Sequence, residues 1–311
     1  MSNTALYVIA ILIWGSTWFA IEFQLGIVAP EVSVLYRYAA AAALLFAWCV
    51  LNGRRLRFGL RAHAWFAVLG LLLFSLNYVL AYRAQVHITS ALCAIAFSML
   101  LWMNIVNARL FFGIRSDRRV MVGAALGMAG VFVLFGPQIG ELTLSDSVFL
   151  GMVLAVLGAL SASFGNMASQ HVQRLAIPVV PTNAWGMLYG AAWTGIYVAL
   201  SGHELNFDWS AGYVLSLLYL VVFGSIVAFG AYLTLVGRIG AHRAGYATVM
   251  FPIVALFLSY VFEGLALDAP TILGALLAIG GNVMVLRGRA QPPAESTRPS
   301  CPELGKAVAT E

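Results

Sequence analysis

Charge is what this chain has least of. Asp, Glu, Lys and Arg make up only 9% of its 311 residues, against roughly 25% in soluble domains, and the one lysine is Lys306. A soluble fold of this length would need a charged surface, so that class is excluded. Cysteine is nearly as scarce. Cys49, Cys93 and Cys301 have neither metal-ligand spacing nor a secreted disulfide pattern, and no redox role follows from them. Acidic residues are absent from the centre of every apolar run. No cluster of His, Asp and Glu and no nucleophile beside a base lies within one, which argues against an intramembrane enzyme. A ring of like charges and a carbonyl-filter motif are also missing, which argues against a channel.

What is abundant is apolar: 62% of the residues are hydrophobic. They fall into runs of the length that spans a bilayer, about 20 residues. The runs predict helices at 5–22, 31–51, 64–83, 89–110, 120–135, 148–171, 182–200, 211–235, 242–262 and 271–286. The chain is therefore expected to be an all-α membrane protein with ten transmembrane helices. The first run has no basic leader or small-residue cleavage site and reads as a retained span. The fifth and tenth, at roughly 16 residues or 24 Å, are short for a bilayer core. The net charge of +5 does not suggest nucleic acid, because the arginines lie in narrow bands between spans. From Gln291 onward the chain holds four of its ten prolines and too little apolar area to fold, so residues 288–311 read as a disordered cytoplasmic tail.

Loop charge sets the orientation. Arg54, Arg55, Arg57, Arg61, Arg115, Arg118, Arg119, Arg174, Arg238, Arg243, Arg287 and Arg289 occupy one set of connections, and Glu31, Glu141, Asp146, Glu204, Asp208 and Asp268 the other. The positive-inside rule then places both termini in the cytoplasm of a cell carrying the protein in its inner membrane.

The second half echoes the first. A shift of 151 brings Gly123, Gly127 and Gly130 onto Gly274, Ala278 and Gly281, Asp117 onto Asp268, Ile88 onto Ile239 and Ala94 onto Gly245. Five helices per half is an odd number, so the copies are expected to be inverted, over 1–136 and 147–287, around a central cavity, as in alternating-access transporters. The opening Trp14-Gly15-Ser16-Thr17-Trp18-Phe19, the paired endings at 123–134 and 274–286, and Phe262-Glu263-Gly264 resemble the EamA-type branch of the drug/metabolite transporter superfamily. The resemblance covers residues 5 to 287 and extends to exporters of amino acids, the aromatic amino acid exporter among them. It implies two inverted repeats and a cavity built from helices 1, 3, 4, 6, 8 and 9. One departure is plain: Phe111-Phe112-Gly113 stands where an acidic residue often ends the fourth helix, so no role for that acid carries over.

Polar and aromatic groups deep in apolar runs are the candidates for substrate contact. Trp14, Trp18, Tyr78, Trp102 and Tyr246 would supply rings, and Asn77, Ser98, Ser163, Asn166 and Thr248 uncharged hydrogen-bonding groups. Ser98 and Trp102 are one turn apart, which suggests a wet side to their helix. Pro252 frees a backbone carbonyl. Packing alone also accounts for a tryptophan near a span's centre or a buried amide, so each has a structural reading beside the functional one. Small residues at i, i+4, i+7 in the fifth and tenth helices point to scaffold. Arg37 and Arg83 lie toward the outer side and are expected to pair with Glu22 or Glu31, too far out to serve at the midplane.

The expected function is export of small zwitterionic amino acids, large apolar and aromatic ones included, with no catalytic residue, metal or cofactor. A channel-like path or export of other drugs and metabolites are the alternatives. The arginine asymmetry is checked by thiol labelling in whole cells, in a background lacking Cys49, Cys93 and Cys301. Single cysteines at Ser116, Ala176 and Ala241 should be shielded from an impermeant reagent, and those at Ser145 and Ser201 should react; the reverse pattern would refute the orientation.

Overall fold

A backbone without water must bond to itself, which in apolar segments leaves the helix as the available form. The computed structural model describes residues 1–140, 146–262 and 269–287, and among these all regular structure is helical. The expected tail at 288–311, together with Glu141, Glu263 and Asp268, lies outside the described residues.

The helices are α1 (Asn3–Glu22), α2 (Pro30–Leu51), α3 (Leu60–Leu69), α4 (Asn77–His87), α5 (Ser90–Ser98), α6 (Leu100–Phe112) and α7 (Arg118–Gly140). After them come α8 (Asp146–Arg174), α9 (Val179–Leu200), α10 (Ala211–Tyr219), α11 (Ala228–Ile239), α12 (Ala241–Ala244), α13 (Ala247–Phe262) and α14 (Ala269–Arg287). Capping chemistry explains several of the ends. The hydroxyls of Ser2, Thr89 and Ser210 accept the backbone N–H of Ala5, Leu92 and Tyr213 at the starts of α1, α5 and α10. Pro30 takes the first position of α2, and Gly113, at φ 66°, closes α6 in the left-handed conformation.

Two details differ from the apolar-run reading. α7 and α14 run to 23 and 19 residues, longer than the runs alone suggested, because Arg118 and Arg119 and residues up to Gly140 join the first and Ala269, Pro270 and Arg287 the second. Two of the long helices also widen in mid-course. α3 passes into α4 through π-helical turns at Gly70–Leu76, and α10 passes into α11 through the same kind of turn at Leu220–Val227.

Among the described residues, six helical stretches are long and apolar enough to cross a membrane: Asn3–Glu22, Pro30–Leu51, Leu60–His87, Leu92–Phe112, Asp146–Arg174 and Ala211–Ile239. The distribution of side chains fits a lipid solvent. Leu12, Phe19, Leu44, Leu51, Ile196, Leu200, Leu215, Leu276 and Ile279 are exposed, while Ser33, Arg37, Asn77, Asn104, Asn107, Ser163, Asn166, Thr194 and Ser225 are buried.

Packing is reciprocal between the halves. α1 lies against α11 and α13, and α8 lies against α4, α5 and α6. α2 and α9 run along each other, α2 meeting the widened turn after α10 and α9 the widened turn after α3. α7 and α14 form the most extensive pair. Their backbones approach so closely that a Cβ on Gly130 would sit 2.6 Å from the Gly274 carbonyl oxygen, and one on Gly281 would sit 2.5 Å from that of Gly123. Gly280, the next residue, faces open space. The adjacent pair makes a controlled test of this seam. Gly281→Ala should lower the melting temperature of the detergent-solubilised protein, in keeping with an overpacking cost of about 1–3 kcal/mol, and Gly280→Ala should leave it level or slightly raised.

Candidate functional site

Side chains from α1, the α3–α4 helix, α5, α6, α8, α11 and α13 converge on a cavity. α1 contributes Trp14, Thr17, Trp18 and Ile21, and the α3–α4 helix contributes Leu73, Asn77, Tyr78 and Ala81. Phe97 and Leu100 come from the end of α5 and the start of α6, Ala162 and Asn166 from α8, Phe229 and Tyr232 from α11, and Thr248 and Phe251 from α13. Numbered by the ten apolar runs expected from the sequence, these segments fall in runs 1, 3, 4, 6, 8 and 9. Among the described residues, α7 and α14 contribute none of the lining.

The aromatic wall is held by ring-to-ring contact. Trp14 packs against Phe229 and Tyr232 with ring centroids 4.8 and 4.9 Å apart and against Phe251 at 5.8 Å, and Trp18 meets Phe97 at 4.9 Å. The tilted and edge-on geometries are those the ring quadrupoles favour. The Trp14 indole N–H donates to the Gly224 carbonyl oxygen at 3.0 Å, a group inside the widened turn of Leu220–Val227. Gln85 ties α4 to α1 by donating to the Trp18 carbonyl oxygen at 3.3 Å.

The amides are fixed by their own donors. Asn77 donates to the Leu73 carbonyl oxygen at 3.2 Å, while Asn166 donates to the Tyr232 hydroxyl at 3.1 Å and to Asn104 Oδ1 at 3.3 Å. In both, the side-chain oxygen is buried without a partner.

Of the candidates read from sequence, Trp14, Trp18, Asn77, Tyr78, Asn166 and Thr248 lie together in this lining. The other five do not. Ser98 is fully buried and directs its hydroxyl to the Ile95 carbonyl oxygen and the Met128 sulfur on α7. Ser163 accepts a hydrogen bond from Asn107 at 2.8 Å. The Tyr246 hydroxyl donates to the Gly123 carbonyl oxygen on α7. Trp102 is half-buried and Pro252 buried, both outside the lining.

Phe97, Phe229, Tyr232 and Phe251 were not singled out from sequence, although a signal for them existed. The same shift of 151 that relates the glycines relates Tyr78 to Phe229, Ala81 to Tyr232, Phe97 to Thr248 and Leu100 to Phe251, so the four lining residues of α11 and α13 are found by moving four of the first half along the chain.

The arginines divide. Arg83 pairs with Glu31, as the sequence suggested, with His203 at 3.8 Å from the same carboxylate. Arg37 has no carboxylate partner among the described residues. It is completely buried, its Nε donating to Ser225 Oγ at 2.8 Å and its Nη1 to the Tyr82 hydroxyl at 3.3 Å. Its guanidinium carbon stands 4.6 Å from the centre of the Tyr78 ring, and Nη2 has no partner. Among the described residues no group of three His, Cys, Asp or Glu side chains is placed to hold a metal ion.

Residues 3–136 and 149–287 match the description "EamA-like transporter family". Among curated proteins, the chain is 29% identical over 293 residues to the "Uncharacterized inner membrane transporter YedA" of Escherichia coli (strain K12), covering 94% of this chain and 91% of the relative. It is 24% identical over 277 residues to the "Uncharacterized transporter YoaV" of Bacillus subtilis (strain 168), covering 88% and 92%. A shorter match, 27% over 195 residues and 57% of this chain against 62% of the relative, is to the "Probable amino-acid metabolite efflux pump" of Escherichia coli (strain K12). One solved crystal structure superposes with a TM-score of 0.74 over 91% of this chain and 96% of its own at 20% identity, a likeness in fold alone.

The lining is open to test with a small thiol reagent in a background lacking Cys49, Cys93 and Cys301. Tyr78→Cys and Leu100→Cys should react and be slowed by an occupant of the cavity, whereas Ser98→Cys and Ser163→Cys should stay unlabelled. Equal labelling of all four would contradict this geometry.

Proposed function

The chain belongs to the EamA-like transporter family, and from that premise we propose that it exports amino acids, those with large apolar or aromatic side chains included, by alternating access. Family membership makes it a membrane transporter and not an enzyme, and its relative YedA is named an inner membrane transporter. The observation that carries the substrate class is the lining itself. Three rings around Trp14 and the Trp18–Phe97 pair offer contact area for an apolar side chain, and Asn77, Asn166 and Thr248 offer uncharged orienting groups among them. Small-molecule sites commonly have this composition, apolar walls with a few placed polar groups. A relative named as an amino-acid metabolite efflux pump points the same way.

The mechanism we infer treats α1 to α7 and α8 to α14 as two inverted repeats of five spans each, with both termini cytoplasmic. Reciprocal packing of the halves and cavity residues 151 positions apart support that reading. The glycine seam between α7 and α14 would stay fixed while the cavity-lining helices rock about it. Among the described residues no Asp, Glu, His or Lys is in the lining, and Glu22 is exposed at the end of α1. Proton-driven carriers relay through such groups in the membrane, so movement down the substrate's own gradient is expected.

Counterflow in proteoliposomes tests the function: unlabelled phenylalanine inside should drive transient accumulation of labelled phenylalanine, which a channel cannot do. Trp18→Ala and Phe229→Ala should each cut that flux about tenfold, the scale of losing one buried ring. An imposed pH gradient alone should drive no uphill accumulation. Flux unchanged in both variants, or confined to a phosphorylated compound, would remove the amino acid assignment.

A further inference from the structure

Packing sorts the cavity-lining helices into two groups that each draw on both halves of the chain: α1 with α11 and α13, and α8 with α4, α5 and α6. In a carrier that works by alternating access, groups related in this way move against each other, so bonds that cross between them at one face must part when that face opens. Arg238, near the end of α11, donates to the Met1 carbonyl oxygen at 3.0 Å, which puts that end of α11 on the face where the chain begins.

On that face the crossing bonds come from amides about one turn apart along α8. Asn166, in the cavity wall, donates to the Tyr232 hydroxyl at 3.1 Å. Gln170 Oε1 accepts the backbone N–H of Ala241 at 3.1 Å, just past Gly240, whose φ of 84° turns α11 into α12. Gln173 donates to the Leu233 carbonyl oxygen at 2.8 Å and lies over Gly237, where a Cβ would collide with its side-chain amide. From Asn166 to Gln173 is about 10 Å of helix, along which Asn166 and Gln170 are buried and Gln173 is half-buried.

The opposite face is built differently. The shift of 151 relates Asn166, Gln170 and Gln173 to Gly15, Phe19 and Glu22 of α1. Gly15 packs against Val254, Phe19 and Glu22 are exposed, and α1 has slight contact with α4 where α8 has broad contact with α11. Among the described residues, the bond from Gln85 to the Trp18 carbonyl oxygen, at 3.3 Å, is the one that joins α4 to α1.

We propose that Gln170 and Gln173 form the gate that closes the cavity toward the face where the chain begins, and that their bonds to α11 and α12 part each time a substrate crosses that face. This rests on the alternating-access reading and deepens it by naming the bonds that the cycle breaks. In the conformation described here the gate is shut. Uncharged amides suit a gate that opens repeatedly, since a hydrogen bond between membrane helices is worth only about threefold in an equilibrium, whereas parting a buried ion pair strands a charge. Glycine at 237 leaves room for the Gln173 amide.

The test uses the full chain in a background lacking Cys49, Cys93 and Cys301. In proteoliposomes, Gln173→Cys with Gly237→Cys, joined by a short bifunctional thiosulfonate, should lose phenylalanine counterflow and regain it on reduction. The control is His87→Cys with Ser147→Cys, which joins α4 to α8 inside one group, where His87 Nδ1 and Ser147 Oγ are 3.0 Å apart; linking it should leave flux unchanged. A second readout needs no substrate. With both termini cytoplasmic, the gated face is outermost in inside-out vesicles, and there an impermeant thiol reagent should label Tyr78→Cys about threefold faster when Gln170→Leu or Gln173→Leu is added. Full flux through the protein linked between positions 173 and 237 would overturn the proposal, as would labelling that neither leucine variant changes. Counterflow that linking does not diminish keeps the transport function and removes the gate. No counterflow in the unlinked protein, with labelling that rises as stated, keeps the gate and removes the amino acid assignment.

Discussion

Hydrocarbon cannot hydrogen-bond, and most of this architecture follows from that single property of the solvent. Each apolar run must be helical, and each polar side chain deep in a run must turn toward protein or an enclosed space. Asn104, Asn107, Ser163 and Asn166 accordingly link helices to one another, while leucines and phenylalanines cover the outside. The cavity is where this inward turning is incomplete. Its amides are held in place by their own donors, yet retain free oxygens.

Much of the fold was legible because run length and loop charge are properties of single segments. Helix ends moved by only a few residues, and those shifts came from caps and from polar residues that extend a helix beyond its apolar part. The site was less legible, since which face of a helix turns inward depends on its phase. Ser98 and Trp102 illustrate the difficulty. Their one-turn spacing assumed an unbroken helix, but at Met99 the backbone N–H reaches back three residues to Ala96 as α5 ends, so the spacing no longer fixes a shared face. Tyr246 lies beside a similar interruption at the join of α12 and α13 and spends its hydroxyl on the Gly123 carbonyl. Arg37 was misjudged for another reason: nothing in its neighbours along the chain reveals that Ser225 and Tyr82 surround it in space.

The two halves do complementary work with unlike residues. At positions related by 151, Tyr78 faces the cavity in one half and Phe229 in the other, and Phe97 answers Thr248. Shape is thus repeated while chemistry is not. Polar groups nevertheless enter from both sides, Thr17, Asn77 and Tyr78 from the first half and Asn166, Tyr232 and Thr248 from the second, at positions the shift does not relate.

The widened turns at Gly70–Leu76 and Leu220–Val227 bear on how this sequence can vary. A π turn accommodates an extra residue relative to an α-helical one, and each residue of an α-helix advances the azimuth by about 100°. Losing one residue from Leu220–Val227 would therefore be absorbed as the segment relaxes to an ordinary helix, leaving Phe229 and Tyr232 near their places on the cavity wall. The same loss before Ala162 in α8, which has no widened turn, would swing Ala162 and Asn166 through that angle and off the wall, although composition and hydropathy would scarcely change. Whether a single-codon deletion is silent or ruinous thus depends on which turn it falls in, a distinction no hydropathy profile draws.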